Sequence, residues 1–309
     1  MTNDVRSSVP IENVAGKRRF AFTITVFTVL GHAWLGFEAS YAQPLVALAT
    51  AYAMQLLLES VDARSSGRRP RFASGFVPLL DFLTSAHITA LSIVMLLYFN
   101  DRLIIVAFAV SLAIGSKYVF RLPLKGRMIH FMNPSNLAIT TTLLLFPWVG
   151  LAMPWQFSAN LTGIGDWMLP LVILCLGSFL NFGFTKRIPA IVAFLAAFVV
   201  QAVVRSLWFG TPVMAPLLLA TGVEALIFTF YMLPDPATSP SRPMPQILYG
   251  SSVALLYGLM VANHIVFGLF YALTIVCACR GLGILVASMR EMRHMFVVEE
   301  SAVASVPVA

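Results

Sequence analysis

The chain has 309 residues, of which 59% are hydrophobic and only 11% charged, with a mean hydropathy of +0.86. A soluble globular domain carries about 25% charged residues, so most of this surface is not built for water. The net charge of +7 invites nucleic acid as a partner. The basic residues, however, fall in short runs between apolar blocks, which is the pattern of cytoplasmic membrane loops and not of a nucleic-acid-binding face.

Residues 1–16 are small and polar and are expected to form an unstructured tail. Lys17-Arg18-Arg19 then precedes an apolar run from Phe20 to Phe37. The run resembles a signal peptide, with Ser40-Tyr41-Ala42 in the place of a cleavage site, but it exceeds the ~7–15 apolar residues usual there. It is read as the first span. Further apolar blocks lie at 42–60, 74–99, 103–120, 134–153, 167–184, 189–209, 213–233, 246–263 and 265–288. Each approaches the roughly 20 residues needed to cross hydrocarbon as a helix. Loops or open sheet edges facing lipid would leave backbone groups unpaired at several kcal/mol each. The predicted fold is therefore all-α, a polytopic bundle of about ten transmembrane helices. It forms a single transmembrane domain over 17–293, followed by a second tail at 294–309.

Counting spans from the N-terminus puts all of the 20 Lys and Arg on one side except Arg102 and Arg205. That asymmetry orients both termini toward the cytoplasm of a bacterial inner membrane and favours an even number of spans. Trp34, Trp148, Trp155, Trp167 and Trp208 fall near the opposite ends, as an aromatic belt does. Cys175, Cys277 and Cys279 lie within apolar blocks without metal-type spacing and read as buried thiols.

Two loops depart from plain connectors. Asn133-Pro134 begins the fifth span with a capping side chain followed by proline. Asp235-Pro236 repeats the pair about a hundred residues later, again on the basic side, and each follows an apolar span. Paired, proline-interrupted elements point to two related halves. Helix N-termini that open on a shared pocket offer free N–H groups to an anion or an electron-rich ring edge. Ser135, Asn136, Thr238 and Ser239 would add donors, with Lys117 and Arg121 as charge at the mouth. The competing reading is two ordinary helix starts.

These segments carry a resemblance. Ser116-Lys117-Tyr118-Val119-Phe120, Phe131-Met132-Asn133-Pro134 and Phe230-Tyr231-Met232-Leu233-Pro234-Asp235-Pro236-Ala237-Thr238 look like the motifs of the NqrB/RnfD family of membrane electron-transport subunits. The chain is most similar to the branch of UnbU-like proteins of enediyne biosynthesis. The likeness runs from about residue 70 to 288. It implies a ten-helix bundle of related halves that passes electrons through flavins to and from other membrane or periplasmic redox subunits. Family members attach FMN to a threonine in a Ser-Gly-Ala-Thr motif between spans five and six. Here the stretch reads Pro154-Trp155-Gln156-Phe157-Ser158-Ala159-Asn160-Leu161-Thr162-Gly163, without that motif. Any flavin, FMN or riboflavin, is thus expected to be held non-covalently. Lys117, Asn133, Ser135, Asn136, Asp235 and Thr238 are the candidate cofactor-binding residues.

Charges within spans usually face a partner or a cavity. Glu224, midway along the eighth span, and Asp81, in the third, are candidates for an ion or proton path. The alternative for Glu224 is a carboxyl paired with a neighbouring helix, for example through Arg205. Glu59 lies at an inner end, where water is in reach. His32, His87 and His264 raise the separate possibility of a haem held by two histidines. The competing functions are a channel or transporter, and a membrane scaffold of a biosynthetic or redox complex that has lost its flavin.

Overall fold

A computed structural model describes residues 11–124, 127–152 and 157–304. Helix dominates. The chain begins with α1 (Ile11–Leu30), whose last turn widens into a π-turn at Gly31–Leu35 and ends at Gly36 in the left-handed region, φ 93°. α2 (Ala42–Ser65), α3 (Phe76–Leu96), β1 (Leu97–Tyr98) and α4 (Leu103–Val119) follow. A hairpin of β2 (Arg121–Leu124) and β3 (Arg127–His130) pairs Arg121 with His130 and Leu122 with Ile129. Next come α5 (Pro134–Leu145) and β4 (Gly150–Leu151), which pairs antiparallel with β1. α6 (Ile164–Leu180) runs into a second π-turn, Asn181–Thr185, before α7 (Ile188–Phe209). α8 (Met214–Leu218) and α9 (Val223–Ile227) lead into a third, Phe228–Met232. α10 (Pro243–Ala262) and α11 (Gly268–Ala304) complete the bundle.

Every apolar block contains helix, but the blocks are not equal. Among the described residues, six helices are long and apolar enough to cross a membrane. A seventh is Met214–Thr221 joined to Val223–Met232, with a 65° bend at Gly222. α4 has 17 residues and α5 has 12. At 1.5 Å per residue α5 rises only about 18 Å, against roughly 30 Å of hydrocarbon. The expected unstructured tails are helical where described, since α1 begins at Ile11 and α11 continues to Ala304. Residues 1–10, 125–126, 153–156 and 305–309 lie outside the described residues, among them Lys125 and Trp155.

Phe182 (80% exposed), Trp208 (83%) and Ile104 (78%) show how apolar the exterior is. In water such a surface marks an interaction face; on span-length helices it is the face toward lipid. Lipid drives no hydrophobic collapse between helices, so close packing and interhelical hydrogen bonds must do more. The α7–α10 contact shows the first. A side chain on Gly250 would overlap the Ala190 carbonyl, and one on Gly258 would overlap Gln201. The α5–α11 contact shows the second. Asn136 Nδ2 donates to the Phe270 carbonyl (2.9 Å) and Thr274 Oγ1 (2.7 Å), beside Thr140 Oγ1 (2.8 Å to Thr274 Oγ1).

The loops gather at two ends. One carries the basic residues and an ion cluster. Glu59, buried on α2, accepts from Arg68 Nη1 (2.5 Å) and the Arg71 N–H (3.0 Å); Asp62 pairs with Arg68 and with Arg121 Nη1 (3.1 Å). Glu59 thus meets two arginines rather than water. At the opposite end Arg102 lies 4.9 Å over the Trp148 ring, and Asn100 Nδ2 donates to the Trp148 carbonyl (3.3 Å).

Candidate functional site

Asn133 does two things at once. Its Oδ1 accepts from the Asn136 N–H (3.0 Å), capping α5, and its Nδ2 donates to the Met232 carbonyl (3.1 Å) across the bundle. Pro134 then starts the helix without an N–H to satisfy. This bond joins the two proline-bearing loops. The second loop differs from its expected form. Asp235 does not cap a helix, because the next one, α10, begins only at Pro243. Its carboxylate instead takes the Thr238 hydroxyl (2.9 Å) and the Ala237 N–H (3.3 Å), and its carbonyl takes the Ser239 N–H (2.8 Å). Pro236 and Pro240 supply no N–H to a helical ladder, so the segment closes as a turn. Arg187 Nε donates to Ser239 Oγ (2.9 Å), and Arg280 Nη1 to the Thr238 carbonyl (2.5 Å), fixing the turn from α7 and α11.

Both loops border one cavity of about 1420 Å³, walled by α1, α3 and α6 and by the segment from Ile227 to Ala237. Of the six candidates, Lys117, Asn133, Ser135 and Asp235 line it. Asn136 and Thr238 stand back from it. The Asn136 amide is consumed by α11, and Thr238 is fully buried against Asp235 and Arg280. Arg121 also turns elsewhere, donating to the Lys117 carbonyl (2.7 Å) and stacking on Tyr118.

The basic end of the cavity is positive. Lys117 is buried, and its ammonium donates to the Ser85 carbonyl (3.1 Å), Ser85 Oγ (3.0 Å) and Thr89 Oγ1 (3.0 Å). All three hydrogens are used, so Lys117 offers the cavity charge rather than donors. No carboxylate among the described residues lies within ion-pair distance of it. Arg187, also buried, gives Nε to Ser239 and one Nη2 hydrogen to the Pro236 carbonyl (3.4 Å). A guanidinium has five N–H hydrogens, which leaves three without a partner among the described residues. Burial lowers the Arg187 pKa, opposed by Asp235, yet an arginine stays charged. His130, on β3, also lines the cavity; burial pulls its pKa down, with Asp235 acting the other way and Lys117, Arg121 and Lys17 reinforcing it. Asp235 is the only acid among the described lining residues.

All three π-turns touch this cavity: Trp34 and Leu35 from the first, Asn181 and Thr185 from the second, Phe230 to Met232 from the third. π-turns insert a residue into a helix and recur at functional sites. Here Asn181 Nδ2 bridges the Gly177 carbonyl (2.8 Å) and the Phe230 carbonyl (2.7 Å), tying the second turn to the third. Gly177 permits the approach, since a Cβ there would overlap Phe230. Arg187, His130 and Asn181 escaped the reading of the sequence. The signals available were a lone arginine before a proline-started helix, and Asn-Phe-Gly-Phe-Thr closing an apolar block.

The remaining polar candidates lie apart. Asp81 is held by Arg18 through two bonds of 2.6 and 2.9 Å. Glu224 sits at the bend between α8 and α9, its Oε1 buried and without a hydrogen-bond partner; no ion pair joins it to Arg205 among the described residues. His87 is bound at both ring nitrogens, by Thr25 Oγ1 (2.6 Å) and Tyr52 OH (2.6 Å), which leaves neither for a haem iron. Thr162 is exposed on the opposite end. Compared with protein-family models the chain matches none, and no curated protein matches it.

Proposed function

We propose that this chain is a membrane electron-transport subunit of the NqrB/RnfD kind, holding a flavin non-covalently at the basic end of the cavity. The observation that carries the reading is the convergence of the Asn133 and Asp235 loops on one pocket beside two buried cations, Lys117 and Arg187. A flavin pairs an apolar tricyclic ring with a polar, electron-rich edge and, in FMN, a phosphate. The pocket pairs apolar and aromatic walls, including the stacked Phe20–Tyr231 rings (5.5 Å), with the spare N–H groups of Arg187 and the hydroxyl of Ser135. Charge-assisted donors of this kind bind phosphate and anionic ring edges strongly. When bound, a flavin supplies the electron chemistry. The residues around it bind and orient it, and the apolar walls exclude water.

In this reading the basic end lies in the cytoplasm of a bacterial inner membrane. The ten apolar blocks each pass or dip into the bilayer, and redox subunits dock at its faces. The purified protein should show the two visible absorption bands of an oxidised flavin. Denaturation should release the chromophore, leaving no fluorescent band on a denaturing gel. A colourless protein would sink the reading, and a fluorescent band surviving denaturation would sink its non-covalent part.

One observation favours a transporter instead. The span containing Gly222 is broken by 65° and places an unpartnered carboxyl, Glu224, at the break. Discontinuous spans with an ionisable group at midplane are how many transporters build ion sites. Ion flux into vesicles, abolished by Glu224→Gln in a colourless protein, would favour it.

A further inference from the structure

The cavity has a second feature that a flavin at its basic end does not use. α1 packs principally on α3, and α1 and α6 both line the cavity without packing closely on each other. The two helices are tied at both ends. At one end Asn160 Nδ2 donates to the Trp34 carbonyl (3.0 Å); at the other Arg19 lies 5.6 Å over the Phe184 ring. Between those ties the cavity is bordered by largely exposed side chains, among them Phe22 (71%), Met168 (57%) and Leu176 (47%), rather than closed over by packed ones. The cavity therefore opens sideways toward lipid, through a window along α1, which rises about 30 Å. At 1420 Å³ it also exceeds the roughly 300–1,000 Å³ of a pocket for one small ligand.

The basic rim of the window decides what enters. Lys17 and Arg19 on α1 and Lys186 beyond α6 border the same cavity, and all three are exposed. Among the described residues neither lysine makes an ion pair. Basic pockets between helices at the membrane surface bind anionic lipid headgroups. We propose that the window is a binding site for an anionic diacyl lipid, with its phosphate on Lys17, Arg19 and Lys186 and one chain inserted between α1 and α6 against Ile24, Met95 and Ile173. The site is separate from the flavin, which rests on Lys117 and Arg187 deeper in the cavity.

The test uses the purified full chain in phosphatidylcholine vesicles containing phosphatidylglycerol with a photoactivatable diazirine on its chain. Labelling should map to Ile24, Met95 and Ile173, which are buried and line the cavity, in preference to the outward-facing Val29 and Phe179. Phosphatidylcholine with the same diazirine chain should label the interior positions weakly. Replacing the rim together, Lys17→Gln, Arg19→Gln and Lys186→Gln, should reduce interior labelling by about tenfold or more, the loss expected for charge-assisted contacts. These are surface positions, and outward labelling reports that the variant is still folded in the bilayer. Labels confined to outward faces, or equal for the two lipids, would overturn the proposal. The visible spectrum is read on the same samples, so a failed flavin reading and a failed lipid window remain distinguishable.

Discussion

Glu59 is fully buried, and its partner Arg68 reaches it from the loop after α2. Arg71 still reaches Glu59 (3.6 Å) when Arg68 is removed, and Arg68 is itself partly exposed, so Arg68→Gln should lower stability by about 1–2 kcal/mol, less than the loss of a fully buried pair. Adding Glu59→Gln should recover much of that loss. Thermal unfolding of the four-member cycle in detergent checks it, and costs that simply add would show the pair is not coupled. His130 gives a pH prediction. Burial disfavours its charged imidazole, helped by Lys117, Arg121 and Lys17 and opposed by Asp235, so the folded pKa lies below the unfolded value near 6.5. Between those two values the unfolded chain binds more protons, and stability must fall as pH drops through that window. His130→Gln should flatten the unfolding midpoint between about pH 7.5 and about pH 5; an unchanged slope would assign it to another group. Of the cavity residues, Asn133, Ser135 and Asp235 were legible because cap-then-proline chemistry is written in adjacent residues, and Lys117 because a lysine stands out at the end of an apolar block. Arg187, His130 and Asn181 were not, because their meaning depends on which distant loops they meet. Asp235 was legible as a site and misread as a cap, since nothing before Pro240 announces that the helix will not start.

Between elements, packing is set by where backbones touch. Gly250 on α10 faces the Ala190 carbonyl of α7 with no room for a side chain, whereas a Cβ on Gly115 of α4 meets open space. Gly250→Ala should therefore lower stability by about 1–3 kcal/mol through overpacking. Gly115→Ala should raise it by about 0.5–1 kcal/mol through helix propensity. Unfolding midpoints of both variants in the same detergent test the contrast, and equal effects would mean the α7–α10 contact is looser than described. Hydropathy located all ten apolar blocks, because the cost of unpaired backbone in lipid leaves helix as the way to cross. It could not reveal that α5 is a short helix or that the eighth block bends at Gly222. The fifth block is less apolar than the blocks on either side, but hydropathy does not place a helix end within a block; packing and local hydrogen bonds do. The three π-turns were equally invisible, since a one-residue insertion barely disturbs a hydrophobic pattern.

For the whole molecule, the distribution of Lys and Arg predicts that the C-terminus and the loop between α5 and α6 lie on opposite sides of the membrane. Reporter fusions at Ala309 and Gln156 should report cytoplasm and periplasm respectively, and the same compartment for both would shift the span count by one. Composition made the membrane class plain, and charge asymmetry predicts the orientation that these fusions test. The cavity depended on tertiary arrangement, because α1, α3, α6 and the segment before Asp235 are far apart in the chain. The central claim is that this cavity binds flavin through Arg187. The most direct measurement is a titration of FMN and of riboflavin into the purified, flavin-stripped protein, followed by flavin fluorescence, for the wild type and Arg187→Gln. The wild type should bind both saturably. Arg187→Gln should bind FMN about tenfold or more weakly, with riboflavin less affected because it lacks the phosphate. No saturable binding by the wild type, or an Arg187→Gln protein that binds FMN as tightly as the wild type, would rule out flavin binding through Arg187.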